Sequence, residues 1–260
     1  MNNPLLEDHT LPPFQNIDAS HITPAIESII AENRLALQQQ LDAIQHPNWQ
    51  TLIKPLEDRE DRLSQAWSPV GHLNGVMNSP ALRDAYNQAI ERMTEYSTEM
   101  GQNARLFKAY LALAESDEFA QLNTAQQKTV NNALRDFRLA GVDLPESAKR
   151  RYAEIQQRLS QLSTQFSNNV LDATQGWYYQ VEDKSALAGL PLSALAIAQQ
   201  TAKQKNLPGY VITLDAPAYI AVMTHADDRD LRQTCYRALS CSLLWEPCEG
   251  IGFLDDRYFR

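Results

Sequence analysis

Five histidines, His9, His21, His46, His72 and His225, are the side chains from which this 260-residue chain would build a metal site or a general base. None of them opens an H-E-x-x-H, the helical spacing that sets two imidazoles on one face for zinc with a glutamate beside them as base. His225 with Asp227 and Asp228 is the one local cluster of histidine and carboxylates, and three such ligands could hold a divalent metal. A simpler assignment makes Asp227 a helix N-cap and His225 the end of the preceding helix, where the dipole favours it. His72, in WSPVGHLNGV, either faces a ligand groove or is a satisfied structural histidine among apolar neighbours.

Nucleophilic chemistry has no candidate either. There is no G-x-S-x-G elbow, no glycine-rich phosphate loop and no C-x-x-C. Cys235, Cys241 and Cys248 stand at steps of six and seven, which fits no zinc module, and their odd number is not a disulfide framework. Their absence from the first 234 residues fits a reducing compartment. Glu57, Asp58, Glu60 and Asp61, in LEDREDRL, have the spacing of a solvated, ion-paired helix face. The sequence therefore predicts no catalytic, cofactor-binding or metal-ligating residue.

A net charge of -9 argues against phosphate backbones and anionic lipid surfaces as partners. No run approaches the roughly 18 apolar residues of a membrane span, and MNNPLLEDHTLPPF has neither the basic nor the apolar region of a signal. A cytoplasmic protein without nucleic-acid or membrane partners is expected.

The elements that would position a site are mainly helical. Thr23 and Pro24 read as an N-cap and first helical residue, followed by the stripe Ile26, Ile29, Ile30, Leu37, Leu41 and Ile44, with Gln38, Gln39 and Gln40 on the wet side. Trp49, Leu52, Ile53, Leu56, Leu63 and Trp67 predict a second helix, with Pro55 as a kink or in the first turn. Ser79 and Pro80 start a third, carrying Leu82, Tyr86, Ile90, Met93, Tyr96 and Met100 as far as Gly101. A fourth has Thr124 and Gln127 at capping-box spacing and Gly141 as its C-terminal glycine.

From Pro145, Tyr152, Ile155, Leu159, Leu162 and Phe166 alternate steps of three and four, a narrow seam for one partner helix. The shortness of the seam and its helical neighbours favour an intramolecular partner over a coiled-coil homodimer. Near 176 the period changes: 177–181 and 210–214 read as a two-stranded sheet, with a helix over 191–205 between them. A further helix starts near Ala218 and restarts at Asp227 toward Leu239. The expected fold is mainly α, a multi-helix body with a small β insert. Its divisions are a helical region over 1–175, a strand-helix-strand insert with the following helix over 176–239, and a dissimilar tail over 240–260.

Three segments carry a more specific resemblance: SPVGHLNGVMNSPALRDAYNQAI, LNTAQQKTVNNALRDFRLAGVDLP and RYAEIQQRLSQLSTQFSNNVLDATQGW. They are similar to the amino-terminal region of oligopeptidase A-type members of the thimet oligopeptidase and neurolysin family of zinc metallopeptidases. NPLLEDHTLPPFQNIDASHITPAIE and GYVITLDAPAYIAVMTHADDRDLRQTCYRA resemble the same family, so the likeness runs over residues 1–239. It implies a mostly helical, clam-shaped peptidase of the zincin type, with two domains about a deep channel that admits short peptides.

In that family zinc is held by two histidines of an H-E-x-x-H helix and a later glutamate, and its bound water attacks the peptide carbonyl. Those residues lie downstream of anything present here, so none carries over. The resemblance thus implies an amino-terminal fragment, one wall of the channel, inactive without a carboxy-terminal catalytic part. A helical peptide-binding module without hydrolysis is the alternative. Helices built to pack on a catalytic domain would leave apolar stripes bare, and such patches favour association.

The likeness stops near Leu239, where ALSCSLLWEPCEGIGFLDDRYFR takes over with two of the three cysteines. That stretch has the look of translation in a shifted reading frame. Sequencing the DNA past the codon for Ala238 should find another frame resuming family-like sequence and an H-E-x-x-H; if no frame does, the shift is excluded.

Overall fold

In a computed structural model, residues 3–241 are described, and the chain divides into two compact units at Thr164/Gln165. Most of the tail expected over 240–260 lies outside the described residues.

The first unit is built on α1 (Ala19–Ala43). Ile22, Ile26 and Ile29 are wholly buried and Ile30 nearly so, because apolar residues three and four apart share one helix face. The helix begins earlier than Thr23. Asp18 is the cap, accepting from the Ser20 N–H at 2.8 Å, while its own N–H donates to His21 Nδ1 at 3.2 Å. Pro24 sits inside the helix, and its missing hydrogen bond is offset by the capping box and by burial of Ile22 and Ala25 on either side.

α2 (Lys54–Val76) follows a single π-helical turn, Trp49–Ile53, with Pro55 in its first turn as expected. Gln40 is not on the wet side. Its Nε2 donates to the carbonyls of Thr51 (2.7 Å) and Leu52 (3.0 Å), and its Oε1 accepts from Arg59, so it satisfies acceptors that the wide turn frees. α3 (Pro80–Gly101) starts at the Ser79 cap, whose Oγ accepts from the Leu82 N–H at 3.3 Å. α3 lies along α1 with Leu82, Ala85, Ala89 and Tyr96 buried, two alanines letting the backbones approach.

α4 (Ala104–Ala114) was not legible as a separate helix. Asn103 caps it, accepting from the N–H groups of Arg105 and Leu106, and Leu106, Phe107, Ala109, Tyr110 and Leu113 are buried. α5 (Thr124–Leu139) is capped by Asn123, not Thr124, in a reciprocal box with Gln126. Its end is a Schellman turn: Val142 N–H reaches Phe137 O and Gly141 N–H reaches Arg138 O, each at 3.0 Å, with Gly141 at φ +83. Burial pushes the Tyr110 phenol up to about 12. Since the neutral form is favoured in the fold, its contribution is full below pH 10 and lost as pH rises from 10 toward 12.

α6 (Glu146–Gly176) crosses the division between the units. In the second unit, β1 (Tyr178–Val181) pairs antiparallel with β2 (Tyr210–Thr213), Tyr178 opposite Thr213 and Val181 opposite Tyr210. α7 (Leu192–Gln204) connects them, and α8 (Ala216–His225) and α9 (Arg229–Cys241) follow. Val181, Leu187, Leu195, Ile212, Val222 and Cys235 form the core here, so the strand pair leans on helices as its size demands.

Two substitutions separate the buried stripe from the surface. Ile29→Ala should lower stability by about 2–5 kcal/mol through the cavity it leaves, whereas Leu35→Ala, at a position 57% exposed, should change it by less than about 0.5 kcal/mol. Urea unfolding followed by circular dichroism reads both.

Candidate functional site

The histidines do not converge. His21 belongs to the α1 cap, His46 is exposed in a loop, and His225 closes α8. His9 Nε2 is 3.6 Å from Glu7 on the surface, beside a cavity of about 360 Å³ between the N-terminal segment and α2. His72 is exposed on α2, its ring 5.3 Å from that of Phe14.

Of the His225 cluster, the structure gives each member a local role. Asp228, rather than Asp227, caps α9, its Oδ1 accepting from the Asp230 N–H at 2.8 Å. Asp227 donates its N–H to Ala188 O at 2.9 Å, which docks the turn before α7 on the α8–α9 junction. Only glycine fits opposite: at Gly189 (φ +88) a Cβ would lie 2.0 Å from His225 O. Among the described residues no three His, Cys, Asp or Glu side chains form a group able to hold a metal, so these residues do not fit a zinc ion.

The acidic run is a solvated face. Glu57, Asp58, Glu60 and Asp61 are exposed, Lys54 pairs with Asp58 at 2.6 Å and Arg62 with Glu32 at 2.7 Å. Cys235 is buried and free, and burial pushes its thiol up to about 11, which keeps it protonated and unreactive.

The feature that stands out is α6. The sequence pattern predicts a helix partner within the chain for the whole seam, but only Tyr152 is half-buried, lining a cavity with Ser97 and Thr98 of α3 and Phe137 of α5. Ile155 (43%), Leu159 (51%), Leu162 (43%) and Phe166 (59%) are left exposed by the described residues, and none of the described residues of α6 is fully buried. The reason lies in which side meets α3. Thr94 and Ser160 share a hydrogen bond of 2.9 Å, and Gln161 donates to Glu91 at 3.3 Å. A polar side thus faces α3, and the apolar row is left toward solvent.

α6 thus keeps an uncovered apolar row at helical period among the described residues. Residues 26–149 match the family model described as Neurolysin/Thimet oligopeptidase, N-terminal domain. The chain is also similar to oligopeptidase A. It is 50% identical to that of Haemophilus influenzae over 92% of its own length and 48% identical to that of Escherichia coli over the same share. The probable cytosolic oligopeptidase A of Arabidopsis thaliana is 36% identical over 91%. The chain spans about 35% of the length of these relatives, matching their N-terminal part. No helix among the described residues is long and apolar enough to cross a membrane.

Because the α6 row is already exposed, charging it should cost the fold little. Leu159→Glu with Leu162→Glu should reduce fluorescence of a dye that binds apolar surface, while the unfolding free energy from urea titration stays within about 0.5 kcal/mol of the parent. An unchanged dye signal would place the bare surface elsewhere.

Proposed function

We propose that this chain is the amino-terminal part of an oligopeptidase A-like zinc metalloendopeptidase of the cytoplasm, which hydrolyses short peptides. Residues 1–175 form one wall of the substrate channel, and 176–239 begin the peptidase region. By itself the chain is inactive: zinc and its ligands belong to a carboxy-terminal catalytic part, which is its partner, and no residue described here does chemistry on a peptide bond. The uncovered row Ile155, Leu159, Leu162 and Phe166 carries this reading, because a soluble helix rarely keeps such a seam unless another element covers it. The relatives are nearly three times as long as this chain, which leaves room for such an element.

Two measurements test it. The purified chain, incubated with zinc and a fluorogenic short peptide, is expected to show no turnover, and hydrolysis by the chain alone would overturn the proposal. Calorimetric titration with unlabelled peptides is expected to show dissociation constants no tighter than about 1 mM. Micromolar binding without turnover would favour a non-catalytic peptide-binding module instead.

A further inference from the structure

α8 has the sequence APAYIAVMTH, in which only Thr224 and His225 are polar. A helix that is apolar on every side belongs in the interior of a larger body. Yet among its residues Val222 alone is fully buried, and Ile220 is 60% exposed. α7 presents Ile197 at 50% exposure toward the same opening. Between the two helices lies a cavity of about 310 Å³, floored by Val211 and Ile212 of β2. No Asp, Glu, Lys or Arg lines it, and Ser193, Thr201, Thr213 and His225 supply its polar groups. Small residues on both walls, Ala194 and Ala198 on α7 and Ala218 and Ala221 on α8, leave space for another backbone to come close.

We propose that this groove receives an apolar helix from the carboxy-terminal part of an oligopeptidase A-type chain. The inference rests on the function proposed above and adds the place of contact. The occupant's chemistry follows from the walls: without a charged group in them, they cannot compensate a charge brought out of water. A second copy of the chain suits the groove poorly. Its own exposed row, on α6, is flanked by Arg150, Arg151, Glu154 and Arg158, whose heads would meet no opposite charge there. The relatives align over nearly the whole of this chain and are nearly three times its length, and their unaligned part is the source of the occupant proposed.

The test compares Ile220→Asp in two settings. One is the chain as it stands. The other is a chimera in which this chain's aligned residues replace the matching segment of the Haemophilus influenzae oligopeptidase A. In the isolated chain the substitution is expected to leave the melting temperature within about 1 °C, since the side chain is already in water. In the chimera it should lower the melting temperature by about 5 °C or more and reduce hydrolysis of a fluorogenic short peptide at least about tenfold. An active chimera indifferent to Ile220→Asp overturns this inference alone. A chimera that neither folds nor hydrolyses the peptide overturns the proposed function as well. Sedimentation of the isolated chain as a dimer that Ile220→Asp dissolves would assign the groove to a second copy and overturn the inference.

Discussion

Ile22, Ala25, Ile26 and Ile29 lie along one side of α1 with no exposure at all, and Leu5, Val70, Leu82 and Ala89 close over them. The same helix continues into a second cluster through Leu37, with Leu41 and Ile44 at its edge, against Ile53, Leu106, Leu113 and Val130. One stripe of branched aliphatic side chains thus serves two cores of the first unit. Its burial is worth about 1.5–3 kcal/mol per large side chain, against about 1 kcal/mol or less for each exposed ion pair. The pairs Arg34–Glu99, Arg92–Glu27 and Arg105–Asp42 border that stripe and orient the neighbours of α1 rather than hold them.

The polar groups support the same arrangement by satisfying what the helices leave open. Asp18, Ser79, Asn103 and Asn123 accept from orphan N–H groups at four helix starts, and Gln40 donates to carbonyls freed by the π-helical turn. In the second unit Asp228 caps α9, and the Asp227 N–H donates to Ala188 O beside Gly189. Several polar residues that the sequence offered for chemistry, His21, Asp227 and Asp228 among them, take local structural roles at caps and turns.

Two apolar surfaces stay uncovered among the described residues: the row on α6 and the groove between α7 and α8. These are the surfaces on which the proposed role depends. A wall of a peptide channel must be rigid on its own and still offer an interface to the part that carries the metal. Such an interface, when bare, is a liability for association rather than a site for catalysis.

Much of this was legible in the sequence because periodicity and caps are local. The stripe of α1, the Ser79–Pro80 start, the Gly141 turn and the strand pair about an intervening helix all follow from residues a few positions apart, where backbone geometry alone decides. So did the lack of an H-E-x-x-H. Tertiary structure decided the rest. Whether Thr23 or Asp18 caps α1 depended on burying Ile22, and α4 owes its burial to α5 and the turn before α2. That most of the α6 seam stays uncovered among the described residues depended on a polar side facing α3. A helical period states that a face is apolar; which neighbour covers it, or that none does, is set by contacts between residues far apart in the chain.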